Sequence, residues 1–231
     1  MMPPRKPTIS IQPSGQRLCE NACLGQKVTT NFDELLERFH ATLETFDGAL
    51  VRDAVARIGW AMPARPLEPH PLACLRQLDR IVELAPADAQ PLARLLAERR
   101  GDLRWGQTYS EADFGKTFID NYGWLEVFGT RGHFVNDEVA AGLLILGPEI
   151  VYPDHHHVAE EIYIPLTGGT DWRMGEGDFR RREAGEVIHH ASDVSHAMRT
   201  GKEPLLALYI WRGGPLAAKS TISGTVSQDR N

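Results

Sequence analysis

The sequence predicts a mainly β protein, an antiparallel barrel or sandwich preceded by an α-helical N-terminal extension, and a change of period carries that expectation. Between about residues 30 and 119 apolar side chains recur at helical spacing. From Trp124 onward, short apolar runs (WLEVFG, VAAGLLILG, EEIYIPLTGG, DWRMG, EVIHH, PLLALYIW) alternate with Gly, Pro and Asp, the signature of an antiparallel barrel or sandwich. At 231 residues the chain has room for one large domain or for a barrel with a helical extension. The expected organisation is an extended arm over 1–29, a helical extension over 30–119, the barrel over 120–215 and a flexible tail over 216–231.

Composition narrows the partners. Apolar residues make up 42% and charged residues 24%, ordinary for a globular protein, and the net charge of −6 argues against a nucleic-acid backbone. No basic cluster offsets it. Nowhere does the chain reach the ~18 consecutive apolar residues of a membrane span, and MMPPRKPTISIQPSGQ lacks the apolar region of a leader. The expectation is a soluble cytoplasmic protein with neither a nucleic-acid nor a membrane partner. Cys19, Cys23 and Cys74 are too few and too irregular for a disulfide framework, which fits a reducing compartment.

In chain order, Asn31 is the expected cap of a first helix, with Glu34 at its third position and Phe32, Leu35, Leu36, Phe39, Leu43 and Phe46 on one stripe. A second helical pattern runs over about 47–61, weakened at its ends by Gly48 and Gly59. Pro71 suits a first helical turn, where its missing N–H has no intrahelical partner, and a stripe from Leu72 to Leu84 follows. Another helix starts near Asp88 and ends near Arg100, where Arg99 and Arg100 suit the negative end of its dipole. Ser110, with Glu111 and Asp113, opens a short helix through Phe118. GEGD, between Met174 and Phe179, reads as a hairpin turn.

The chemistry concentrates in GPEIVYPDHHHVAEEIYIPLTGG. His155 and His157 are two residues apart and so project from the same side of an extended chain, as do Glu161 and Tyr163. A short reversal through Val158 and Ala159 could fold one pair over the other. Imidazole nitrogens and a carboxylate oxygen suit borderline divalent cations. The remaining ligand must come from elsewhere, and His196, in the stretch that follows Gly185, is the candidate. Alternation turns His156 away from its neighbours, and His189 and His190 are read as solvated or as lying behind the ligands.

His155, one residue, His157, three residues, Glu161, six residues, Gly168 is the spacing of the first cupin motif, and Gly185 with His196 keeps the distance of the second. Ala191, Asp193 and Thr200 stand where that second motif usually has Pro, Gly and Asn. The stretch from about 120 to 213 therefore resembles the cupins, which implies a double-stranded β-helix, or jelly-roll, barrel. Among cupins it most resembles the dimethylsulfoniopropionate lyases. The resemblance implies a catalytic role for Tyr163, two residues after the metal-binding glutamate, and for Tyr152, which precedes the first histidine. Cupins of this kind often pair, so the resemblance allows a homodimer, although an antiparallel barrel with a helical extension could also bury its own edges.

Three neutral imidazoles and a carboxylate leave a divalent ion near net charge +1, with two adjacent positions open if it is six-coordinate. Fe, Mn, Co, Ni or Zn all suit the set. A carboxylate bound there loses its α-proton more readily, and a nearby cation favours the phenolate of Tyr163, whose ordinary pKa is about 10. The expected substrate is a small anion or zwitterion. In dimethylsulfoniopropionate the β carbon carries a sulfonium, for which Trp172, Tyr209 and Trp211 are the expected aromatic faces. Two other classes use the same ligands: an Fe(II) dioxygenase, in which Tyr163 only lines the pocket, and a non-catalytic small-molecule binder.

Overall fold

The computed structural model describes residues 32–223. The expected arm, Cys19 and Cys23, and the expected cap Asn31 lie outside them. Helix α1 (Asp33–Glu44) begins after Phe32 with no side-chain cap and buries Leu35, Phe39 and Leu43, one residue per turn on one face. The second helical pattern is shorter than expected: α2 is Ala49–Ala56, with extended Gly48 before it. After Pro71 the chain makes a 3-10 turn over Ala73–Gln77 before α3 (Leu78–Leu84), and α4 is Gln90–Glu98 with Pro91 in its first turn. The sequence signal at Ser110 is realised at the start of α5 (Glu111–Ile119), where Asp113 Oδ2 accepts the Ser110 N–H at 2.8 Å.

Eleven strands follow among the described residues, in two sheets. The larger has the order β2 (Phe134–Val135), β1 (Tyr122–Gly129), β3 (Val139–Leu146), β10 (Leu205–Arg212), β5 (Glu160–Pro165), β8 (Ile188–His190). The smaller is β11 (Thr221–Ile222), β4 (Val151–His156), β9 (His196–Arg199), β6 (Thr170–Met174), β7 (Arg180–Arg182). All pairs are antiparallel except β1 with β2. The two sheets are separate ladders, so the expected barrel is realised as two facing sheets rather than a closed cylinder. The expected GEGD hairpin joins β6 to β7, with Gly175 at φ +57°. Part of the expected tail is strand: Thr221 and Ile222 pair with His156 and His155.

The helices cover the outer face of the larger sheet. Phe39 of α1 meets Phe128 edge-on at 5.8 Å, and Leu125, Leu143, Ile162, Ile164 and Leu208 share that core. The inner face carries Tyr122, Leu144, Tyr163 and Tyr209 toward Tyr152, Trp172 and Met198 of the smaller sheet. All eight residues of β3 are buried, which explains why VAAGLLIL reads as a continuous apolar run rather than an alternation. Gly142, within it, faces the irregularity in β1 between Glu126 and Phe128, where a Cβ would overlap the Leu125 carbonyl oxygen. Among the described residues, no helix is long and apolar enough to cross a membrane.

Candidate metal centre

Strands from both sheets deliver the site. β4 and β9 pair His155 with His196 directly, and β5 presents Glu161 and Tyr163 from the opposite sheet. The loop after β4 carries His157. His157, Glu161 and His196 each offer a ligand atom within 4.8 Å of the others, and all three are buried. His155 is equally buried, its ring centroid 4.2 Å from that of His196 and 6.3 Å from that of His157, and it stands at the edge of that group.

The three expected histidine ligands share one device. His155 Nδ1 lies 2.8 Å from the Pro153 carbonyl, His157 Nδ1 2.7 Å from that of Ala159, and His196 Nδ1 2.9 Å from that of Val194. A carbonyl only accepts, so each Nδ1 carries a proton, and each neutral ring is left with its Nε2 lone pair free. His157 Nε2 lies 2.9 Å and His196 Nε2 3.3 Å from the same Glu161 Oε2. His196 Nε2 is buried with no hydrogen-bond partner. Lone pairs aimed together at a buried carboxylate need a cation or a proton between them, and the donor set fits a divalent metal.

The electrostatics agree. Burial would raise the Glu161 carboxyl, but the imidazoles gathered around it, His157 first and then His190 and His196, hold it well below its usual range. Burial, then the neighbouring His196 imidazole, keeps His155 well below the ordinary imidazole value. Burial and the Glu161 charge push Tyr163 well above the ordinary phenol value, so the surrounding protein favours its neutral hydroxyl.

A cavity opens beside the centre, lined among others by Tyr152, His155, Glu161, Tyr163, Tyr209 and Trp211. Tyr152 is 4% exposed and stacks on His155 at 4.1 Å. The register shift between Tyr152 and His155 is what turns it inward. Trp211 donates its indole N–H to Glu161 Oε1 at 2.5 Å and lies 4.1 Å from the His157 ring. Trp172, expected at the substrate, does not line this cavity. It is opposite Met198 in the β6–β9 ladder and fills the space behind Tyr163, at 5.0 Å.

Sequence reasoning missed other walls. Buried Glu126 accepts the Arg131 main-chain N–H at 2.5 Å and its guanidinium at 3.2 Å, while that guanidinium lies 4.7 Å over Trp124. Behind the lining, the Tyr109 hydroxyl oxygen accepts a hydrogen bond from the Tyr152 hydroxyl at 3.3 Å. No local spacing links these residues to the histidines, and only strand pairing brings them there.

The two-sheet architecture and this cluster define the chain as a cupin with a candidate metal centre. A sequence model of the dimethylsulfoniopropionate lyases matches residues 55–207, and the chain belongs to that family. It is 36% identical over 110 residues to dimethylsulfoniopropionate lyase DddQ of Ruegeria pomeroyi, an overlap of 48% of this chain and 55% of that one. The chain thus spans about half the length of the curated relative it matches. The crystal structure of DMSP lyase DddQ from Ruegeria pomeroyi aligns with a TM-score of 0.75 at 26% identity, covering 83% of this chain and 95% of that chain. A chain from the structures of the DMSP lyases RdDddP and RnDddQII aligns with a TM-score of 0.74 at 26% identity, covering 84% and 97%.

Proposed function

We propose that the chain is a metal-dependent carbon–sulfur lyase that cleaves dimethylsulfoniopropionate to dimethyl sulfide and acrylate. The observation that carries this reading is a tyrosine, Tyr163, that lines one cavity together with His155 and Glu161 of the histidine–carboxylate group, within the stretch that matches the family. His155, His157, Glu161 and His196 would hold one divalent transition ion, Fe, Mn, Co, Ni or Zn. When bound, it supplies positive charge that neutralises a carboxylate and favours the phenolate form of Tyr163.

Tyr163 takes the proton from the carbon next to the carboxylate. The electron pair of that C–H bond becomes the second bond between the α and β carbons, and the β carbon–sulfur pair leaves with sulfur as dimethyl sulfide. Tyr152, stacked on His155 and bonded to Tyr109, assists by orienting the carboxylate or the proton transfer. Tyr209 and Trp211 present aromatic faces to the sulfonium, each such contact being worth roughly 0.5–2 kcal/mol. With Trp172 behind Tyr163, it acts on substrate only through that ring.

Headspace detection tests the reading. Purified protein given dimethylsulfoniopropionate should release dimethyl sulfide and acrylate in equal amounts, without oxygen uptake, lose that activity on chelation and regain it with a divalent metal. Metal-replete protein that releases no dimethyl sulfide overturns it.

A further inference from the structure

His190 is 1% exposed, and neither of its ring nitrogens has a hydrogen-bond partner. An unsatisfied buried polar group destabilises the fold, so its place among the ligands calls for a physical reason. His190 stands directly opposite Glu161 in the β5–β8 ladder, and Trp211 stands opposite Glu161 in the β10–β5 ladder. Residues paired in this way leave a sheet on the same face. Trp211, Glu161 and His190 therefore form one inward row across three strands, with the carboxylate in the middle. Trp211 already donates to Glu161 Oε1. The His190 ring lies 3.9 Å from that of His196 at an interplanar angle of 17°, while Tyr163 and Trp172 stand 6.0 and 6.3 Å away.

We propose that His190 is a positioning residue of the metal centre: once the centre is loaded, its ring N–H donates to the Glu161 carboxylate from the flank opposite Trp211 while its ring backs the plane of His196. This role rests on the metal-centre reading. Groups that orient ligands in this way typically contribute about 10–100-fold to metal affinity.

The test uses the metal-stripped full chain and Co(II), with affinity read by competition against a chelator and the ligand field read by visible absorption. His190→Phe keeps a flat ring against His196 and removes both nitrogens. It should weaken Co(II) binding about 10–100-fold and shift the absorption bands, whereas His190→Gln, which retains an N–H, should stay within about threefold of wild type. If His190→Phe does not fold, His190→Leu carries the same comparison. Co(II) affinity within about twofold of wild type and an unchanged spectrum in the Phe or Leu variant overturns the role. So does equal weakening in the Phe, Leu and Gln variants, which would mean that only packing was lost. A wild-type chain that takes up no Co(II) overturns the metal-centre reading and this role together, while normal uptake by wild type and variant alike overturns the role alone.

Discussion

Tyr163→Phe separates binding from chemistry, because it removes a hydroxyl and leaves the ring against Trp172. Metal content should be unchanged while turnover falls by about 10² or more, the usual effect of losing a general base. Elemental analysis alongside steady-state rates reads both, and near-normal turnover in a metal-replete variant would remove Tyr163 as the base. Tyr152→Phe loses the bond to the Tyr109 hydroxyl and should lower turnover with metal and fold intact. Activity within about twofold of wild type would leave Tyr152 as packing alone. The cluster was legible because His155, His157 and Glu161 lie within seven residues of sequence, where spacing is a local signal. Strict alternation counts three positions from Tyr152 to His155 and points it outward, and the local sign against that is Pro153 with Asp154, which interrupt the strand. A ladder irregularity reverses that, and the irregularity is a property of the pairing with β9.

Among the elements, the loop before β9 explains how the chain keeps a cupin turn with altered residues. Asp193 stands where Gly is usual and adopts φ +61°, while its N–H bonds the His157 carbonyl at 2.9 Å. Asp is one of the few non-glycine residues that visit this region. Asp193→Gly should keep wild-type stability or gain slightly, and Asp193→Val should lose about 1–2 kcal/mol, measured by urea unfolding of the metal-free chain. Equal stability of the Val variant would show that the turn relaxes. Thr200, where Asn is usual, accepts the Ile150 N–H at 2.9 Å and donates to the Gly147 carbonyl at 2.6 Å, tying the end of β9 to the start of β4. Long apolar strands such as β3 and β10 could be read from sequence. β7, β9 and β11 could not, being two to four residues long and largely polar. Their assignment depends on the neighbours they pair with.

At the scale of the molecule, His133 joins the helical layer to the sheet. Its main-chain carbonyl accepts the Arg65 N–H at 2.7 Å, its Nε2 accepts the Arg104 N–H at 3.3 Å, and Phe32 packs on its ring at 4.6 Å. Burial, then the Arg104 charge, lowers its pKa from 6.5 to about 4. The unfolded chain therefore takes up a proton first as pH falls. The stability held by the neutral ring is complete above about pH 6.5 and declines toward pH 4, by about 3 kcal/mol at most. Unfolding free energies over that range should fall less steeply in His133→Gln than in wild type, and equal slopes would assign the acid sensitivity to other groups. The helical extension could be anticipated from its stripes, but not its role as the cover of the outer sheet face, since a stripe names no partner. Leu216, Ala218 and Ser220 line the cavity on the way to β11, and they lie beyond the stretch that matches the family. One side of the pocket is thus supplied by a short C-terminal segment that carries none of the metal-binding side chains, so exchanging Leu216 or Ala218 would reshape the room offered to a substrate while leaving the ligand cluster in place.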